Sequence, residues 1–458
     1  MNLLSRLRAG AAEWLAWREG SPYYRYYRYL LRTQWDDLAT IQARQFAALR
    51  SMLEHCAQTV PYYQRVFAEV GFRPEQFQSP EDLARLPILT KADLRRAGAE
   101  LRSVAIPERD CVRKTTSGST GVPLTVWCDQ DALQFKRACA LRSDEWSGWH
   151  HGEPKAMFWG NANADWPGLR GRLRKFLIDR TDALDALNVT EATLEACARR
   201  LVRMQPRLLV GHAHTLYLFG QYVRSRGFRI RPAGIVSTAM PLHQHQRDLL
   251  KATFECRVLN RYGCEETSLI ASQCEAEAGL HLNCDNVYAE LLPNPVGDPN
   301  SRIIVLTDLV NRAMPLIRYQ VGDVVVPSPA DGSASCPCGR AMPTLQSVNG
   351  RDADYVVTPE GRFISGISLT ENFALKIPNV SQVQVVQPEL DRLLVRVVPE
   401  AGFNEQAETR LRETTRSLFG ESMHAQFEFV ESIPQEPSGK YRFCISEVAR
   451  QRLAEMLR

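Results

Sequence analysis

Lysine is scarce in this chain of 458 residues: eight lysines stand against 48 arginines, so each one is conspicuous. Long apolar runs are missing too. No stretch approaches the roughly 18 uninterrupted apolar residues that a membrane-spanning helix needs. The opening MNLLSRLRAGAAEW lacks the continuous apolar segment and small-residue cleavage site of a secretory signal. A cytoplasmic protein without a membrane span is therefore expected. Nor is there a large charge excess. A net +4 from 56 basic and 52 acidic residues, mixed along the chain, leaves no electrostatic footprint for nucleic acid. Internal repeats and low-complexity tracts are lacking. What is present is ordinary globular material, 44% apolar and 24% charged. At about 150 residues per domain the length suggests roughly three structural units. Twelve mostly scattered cysteines without an export signal imply reduced thiols.

Residues 1–110 read as helical. WDDLATIQARQFAALRSMLEHCAQ has apolar residues at three-to-four spacing, and Pro61, Pro74, Pro80 and Pro87 punctuate the stretch after it. SPYYRYYRYLLR mixes aromatics with arginine; it suits a membrane surface or an anionic partner, or a helix packing its tyrosines on its own domain. From about 110 to 330, β-rich runs (PRLLVG, AGIVSTA, RVLNRYG) alternate with helical ones (TLYLFGQYVRSRG, QHQRDLLKATFE). That order predicts an α/β fold with a parallel sheet and crossover helices. SRIIVLTDL and GDVVVPS read as further strands. After Gly350 a hairpin-like DYVVTPEGRFI precedes VSQVQVVQP, DRLLVRVVP, AETRLRETTRSLFG and AQFEFVES, a separate α+β piece.

The strongest local signal is Thr115-Thr116-Ser117-Gly118-Ser119-Thr120-Gly121-Val122-Pro123. Its hydroxyls are donors, and its glycines let backbone N–H groups line a concave nest suited to a polyphosphate. No lysine follows the second glycine, so it is not the loop of P-loop NTPases. Alone, such a stretch is more often a simple turn. It is accompanied by Tyr262-Gly263-Cys264-Glu265-Glu266, by Thr307-Asp308, and by Pro315-Leu316-Ile317-Arg318-Tyr319-Gln320-Val321-Gly322-Asp323. Gly350-Arg351-Asp352 and Pro437-Ser438-Gly439-Lys440-Tyr441-Arg442 complete the series. In this order the motifs resemble the adenylate-forming superfamily over roughly residues 50–450. The nearest branch is that of the bacterial phenylacetate–CoA ligases, with its CapK-like members associated with polysaccharide and other biosynthetic clusters.

The resemblance implies a large N-terminal α/β domain and a small mobile α+β C-terminal domain, with a site at their junction. The division expected is 1–349 and 350–458, the first comprising helical 1–110, an α/β core 111–349 and a zinc subsite within 264–340. There ATP and a carboxylic acid would give an acyl- or aryl-adenylate and pyrophosphate, and an acceptor nucleophile would take the acyl group. Thr116, Ser117, Gly118, Ser119, Thr120 and Gly121 would cradle the phosphates. Tyr262, Gly263, Cys264 and Glu265 would border the nucleotide, with Tyr262 against adenine. Asp323 would accept from the ribose hydroxyls, with Arg351 beside it. Glu266 would help hold Mg²⁺, a hard cation that takes oxygen ligands. Lys440 would place a cation where carboxylate oxygen meets α-phosphate, so that Lys440, Glu266 and Thr120 form the catalytic set. Each has a plainer reading: a surface lysine, a solvated glutamate, a turn-capping Asp323. His212 and His214 either line the acyl pocket or cap a helix.

Three departures from the family pattern stand out, the first at the phosphate loop, the second at the hinge and the third at the acceptor channel. Leu124 follows Pro123 where many members carry a lysine shortly after the loop. Ala353 takes the usual hinge acid's place in Gly350-Arg351-Asp352-Ala353-Asp354. TPEGRFISG replaces the glycine-bearing segment that shapes the thiol tunnel in CoA users. CoA, an amine, a hydroxyl and a carrier-protein thiol all stay open as acceptors. The resemblance is compatible with a homodimer.

Cys336-Pro337-Cys338-Gly339 is a tight turn, and upstream Cys274 stands seven residues before His281. Three thiolates and an imidazole suit a closed, structural, tetrahedral Zn²⁺. Cys264 or Cys284 could replace one ligand, and independent buried cysteines are the alternative. A rival from another class is a zinc-stabilised, non-catalytic binding or scaffold protein with a degenerate nucleotide site, which absence of ATP binding would favour.

Overall fold

The structure, a computed structural model, describes residues 3–116, 124–159, 180–185, 191–295, 299–329, 336–351, 355–361, 363–365, 369, 373, 377–434 and 442–456. Contacts divide the chain into two compact units rather than the three that length suggests. The first is Met1–Glu290 with Val305–Val321 and Ser328–Ser347; the second is Leu291–Ile304, Gly322–Pro327 and Val348–Arg458.

The first unit opens with helices α1 (Leu3–Arg18), α2 (Tyr23–Thr33), α3 (Leu38–Thr59), α4 (Pro61–Glu69) and α5 (Lys91–Ala97). Their starts follow local chemistry. Asp37 caps α3 by accepting from Thr40 N at 2.8 Å, Pro61 occupies the first turn of α4, and Thr90 with Asp93 forms a reciprocal capping box on α5. Ile41, Leu49, Met52, Leu53 and Cys56 bury one face of α3. The tyrosine–arginine stretch packs on its own unit. Tyr27 and Leu30 are buried, Tyr26 Oη donates to Asp131 Oδ1 at 2.6 Å, and Tyr24 lies 4.9 Å from the His151 ring.

Strands β1 (Cys111–Thr116) and β2 (Leu124–Asp129) form an antiparallel pair running from Cys111↔Asp129 to Thr116↔Leu124. Helix α6 (Gln130–Glu145) starts where Asp129 accepts from Ala132 N. Then come β3 (Lys155–Trp159), β4 (Thr181–Asp185), α7 (Glu191–Met204), β5 (Leu208–His212), α8 (Ala213–Arg226), β6 (Gly234–Thr238), α9 (Gln244–Phe254), β7 (Arg257–Cys264), β8 (Ser268–Gln273) and β9 (Leu280–Leu282). The order β4-β3-β5-β6-β7 is parallel throughout, and β8 and β9 continue it antiparallel. Every residue of β5 and β6 is buried, as a parallel sheet covered on both faces requires. Phe158, Leu209, Leu216, Phe219, Ile235, Leu250 and Phe254 form the core between strands and helices.

Strands β10 (Val287–Pro293), β11 (Arg302–Asp308), β12 (Tyr319–Pro327) and β13 (Thr344–Arg351) each begin in one unit and end in the other. β13 pairs with β9 through Thr344↔His281. In the second unit, β14 (Tyr355–Val357) and β15 (Phe363–Ser365) make a hairpin. A four-stranded sheet of order β18-β17-β16-β19 uses β16 (Val380–Glu389), β17 (Arg392–Pro399), β18 (His424–Phe429) and β19 (Cys444–Ser446). Helix α10 (Glu405–Phe419) crosses over between parallel β17 and β18, and α11 (Glu447–Met456) follows β19. Asn404 caps α10 through Ala407 N at 3.0 Å. Val385, Val395, Val397, Leu411 and Phe419 close this core. Among the described residues no helix is long and apolar enough to cross a membrane.

Candidate active site

The β1–β2 pair brackets residues 117–123, so Ser117, Gly118, Ser119, Thr120 and Gly121 lie outside the described residues, while Thr116 ends β1. Lys114, two residues earlier, is mostly buried. Its Nζ lies 3.5 Å from Glu265 Oε1 and donates to Ser268 Oγ at 3.5 Å. Motif reading does not single out this lysine before the loop, although the scarcity of lysine marks it.

Glu265 belongs to the tight connection between β7 and β8, closed by the Cys264↔Ser268 pair. Gly263 is required there, because a Cβ would fall 2.6 Å from Ser268 O. Tyr262 is half-buried on β7. Cys264 Sγ lies 3.2 Å from Thr267 Oγ1, which makes it part of the turn. Asn286 Nδ2 braces the connection from below by donating to Thr267 O at 2.8 Å and Leu269 O at 3.0 Å. Glu265 is exposed, whereas Glu266 is buried. Burying a carboxylate is costly unless it is hydrogen-bonded, and Tyr319 Oη donates to Glu266 Oε1 at 2.9 Å. Tyr319 is itself fully buried. It is held at the start of β12, where Leu89 N donates to Arg318 O and Gln320 N to Leu89 O, both at 2.9 Å.

Asp308 and Arg318 of the neighbouring motifs are held in buried ion pairs. Lys136 Nζ meets Asp308 Oδ2 at 2.5 Å, both side chains at most 3% exposed. Asp308 Oδ1 also accepts from Val310 N and Asn311 N at 3.0 Å. Burial alone would depress the Lys136 ammonium; attraction to Asp308 overrides it and holds the group above the usual lysine range. Arg318 is buried at φ +51°. It pairs with Glu290 at 2.9 Å and donates to Leu86 O at 2.5 Å. His212 is buried at the end of β5, 4.6 Å from the Trp159 ring at the end of β3. It stands at the N-cap of α8 without a side-chain cap bond, and the side chain of His214 is outside the described set. Asp323 is half-buried on β12, in the second unit, and Arg351 ends β13 there. Asp352, Ala353, Asp354 and Lys440 lie outside the described residues.

Cys274, His281, Cys336 and Cys338 come together with their ligand atoms within 4.8 Å of one another. Cys274 follows β8, His281 is on β9, and the Cys336–Gly339 turn closes through Gly339 N donating to Cys336 O at 2.9 Å. His281 Nδ1 sits 3.0 Å from Met342 O, which leaves Nε2 turned inward, 3.3 Å from Cys338 Sγ. Burial pushes the Cys274 thiol up to about 12 and the His281 imidazole down to about 4. The Arg340 guanidinium walls the cluster, bonded to Glu275 at 2.9 Å and lying 4.4 Å and 4.6 Å from the Trp35 and Trp146 rings. Cys264 and Cys284 take no part in the group. Three thiolates and one imidazole of fixed tautomer fit a closed tetrahedral ion, Zn²⁺ above all.

Against known proteins, residues 356–447 match the CapK C-terminal domain. Protein CapK of Staphylococcus aureus is 20% identical over 377 residues, spanning 80% of this chain and 81% of the relative. The phenylacetate–coenzyme A ligase of Escherichia coli strain K12 is 26% identical over 447 residues, spanning 89% of this chain and 96% of the relative. The crystal structure of 2-hydroxyisobutyryl-CoA ligase, in the postadenylation state with R3-HIB-AMP, matches with a TM-score of 0.71 at 19% identity. The match covers 93% of this chain and 94% of that one. The fold is that of the adenylate-forming ligases. In sequence the chain is similar to CapK and to the phenylacetate–CoA ligases.

Proposed function

We propose that the protein activates an aryl or small acyl carboxylic acid with ATP and passes the acyl group to the thiol of CoA. The observation that carries this reading is the relationship to a phenylacetate–CoA ligase over 89% of this chain and 96% of that one. In the first half-reaction a carboxylate oxygen bonds to the α-phosphorus and the bond to the β-phosphate oxygen breaks, its electron pair leaving with pyrophosphate. In the second, the CoA sulfur bonds to the acyl carbon, AMP leaves, and the thiol proton passes to solvent.

The chain's residues divide this work by charge. Thr116, Ser117, Gly118, Ser119, Thr120 and Gly121 present hydroxyls and backbone N–H groups to the phosphates. Glu266, hydrogen-bonded by Tyr319, would offer an oxygen to Mg²⁺, an ion that when bound would offset phosphate charge. Tyr262 borders adenine, and Asp323 and Arg351 serve the ribose. Lys440 neutralises the charge that gathers where carboxylate meets α-phosphate. Ligands of doubly wound sheets sit beyond the carboxyl ends of the strands, which is where Trp159 and His212 stand. They would form an aromatic wall for the acid. Zn²⁺ at Cys274, His281, Cys336 and Cys338 would be structural, tying the turn at 336–339 to β8 and β9.

Carboxylate-dependent ATP–pyrophosphate exchange, run without CoA on aryl, acyl and amino acids, is the test. Exchange with an aryl or short acyl acid, followed by CoA-dependent AMP release, is expected. No exchange across the panel together with no calorimetric ATP binding would overturn the reading in favour of a binding protein. Exchange with AMP release driven by amines or hydroxyls, and not by CoA, would overturn the thioester step alone.

A further inference from the structure

Helix α1 is packed the wrong way round for an ordinary surface helix. Its inward face is small, with Ser5, Ala12 and Ala16 buried. It lies so close that a Cβ on Gly152, a residue at φ +92°, would fall 2.2 Å from Ser5 O and 3.0 Å from Ala9 N. The large apolar side chains point outward: Leu3, Leu7, Trp14 and Trp17 are 74%, 62%, 54% and 75% exposed, and Leu4 is 53% exposed. Alternating steps of four and three place Leu3, Leu7, Trp14 and Trp17 along one line, with Gly10 filling the gap. Arg6 and Arg18, both exposed, flank that line on its two sides, and the Arg18 guanidinium lies 5.4 Å from the Trp14 ring.

We infer that α1 is an interfacial anchor whose Leu–Trp face lies on an anionic phospholipid surface. Charge complementarity selects this occupant. Residues 1–34 hold six arginines and two glutamates, a net +4 that equals the net charge of the whole chain. The remainder sums to zero net charge, and the positive excess of this N-terminal segment sits beside the exposed apolar stripe of α1. Tryptophan and leucine with arginine at the margins is the composition of an in-plane membrane helix, and each basic residue near an anionic leaflet strengthens the attachment. A second copy fits less well. It would bring a like-charged face to the contact, and one helix stripe falls short of the roughly 800 Å² per partner of a stable interface.

The test is flotation of the full chain with vesicles of phosphatidylcholine alone and of phosphatidylcholine with about 30% phosphatidylglycerol, read together with tryptophan fluorescence. Binding to the anionic vesicles with a blue shift is expected. The Trp14→Ser/Trp17→Ser variant should bind at least about tenfold more weakly. Arg6→Glu/Arg18→Glu, which leaves the apolar stripe intact, should lose the preference for phosphatidylglycerol, so the test survives if the tryptophan variant misfolds. Failure to float with either vesicle, or equal flotation of both variants and the parent, would overturn the inference. A lipid-free dimer that the tryptophan variant converts to monomer would also overturn it, assigning the face to a second copy.

Discussion

Lys136 and Asp308 are 172 positions apart in sequence and 2.5 Å apart in space, so the stability they confer is a property of the pair. Removing one partner of a buried ion pair costs about 3–5 kcal/mol, because the other is left uncompensated. Lys136→Met should therefore lower the unfolding free energy by that order, read as a lower urea midpoint, and adding Asp308→Asn should recover part of the loss, a coupling additive sites would not show. His151 makes a second case. Its ring sits 4.9 Å from Tyr24, 6.2 Å from Tyr27 and 6.4 Å from Trp149, and its Nε2 has no hydrogen-bond partner among the described residues. Burial depresses its pKa from 6.5 to about 4, with Lys155 adding to the effect. The unfolded chain then binds the proton first. The stability is whole above pH 6.5 and drains away as pH falls toward 4, by on the order of 2–3 kcal/mol. Urea midpoints at pH 7 and pH 4.5 should fall less for His151→Phe than for the parent, and parallel falls would refute the assignment.

At the scale of elements, the four-residue Cys/His cluster joins two adjacent strands to a turn 62 residues further on. Metal there should be a folding contribution, since ligands assembled from distant segments are not preformed in the unfolded chain. Elemental analysis of protein purified without chelator should find about one zinc per chain. Chelation or Cys338→Ser should remove it and lower Tm, whereas Cys284→Ser should leave metal content unchanged. Retention of zinc in Cys338→Ser would sink the assignment. This cluster was legible in the sequence because CPC and the Cys274–His281 spacing are local patterns of metal-binding side chains. The β5–α8–β6–α9–β7 succession was legible for a similar reason: apolar runs and helical periodicity are local signals. The Lys136–Asp308 and Tyr319–Glu266 contacts were not, since no local signal links residues brought together only by sheet assembly. Helix α1 was hidden differently. Sequence patterning assigns large apolar residues to the interior, and here alanine and serine are inside because Gly152 leaves room for close approach.

For the whole molecule, the proposed chemistry needs different charges at different moments. Joining a carboxylate to a triphosphate crowds negative charge at one oxygen, and a positioned cation there is worth about a hundredfold or more in rate. Transfer of the acyl group from the adenylate to a thiol makes no such demand, because the pyrophosphate has already left. Lys440, one of only eight lysines, is the cation assigned to the first demand and has no task in the second. Lys440→Ala should therefore lose ATP–pyrophosphate exchange by about a hundredfold or more while consuming supplied acyl-adenylate and CoA at the parent rate. Glu266→Gln provides the contrast within the same half-reaction, since weaker Mg²⁺ holding should raise the magnesium concentration needed for half-maximal exchange. A lysine acting only through stability would slow both half-reactions together, and that result would remove Lys440 from the chemistry. Selective loss of the first half-reaction, with an unshifted magnesium requirement, would separate its role from that of the carboxylate.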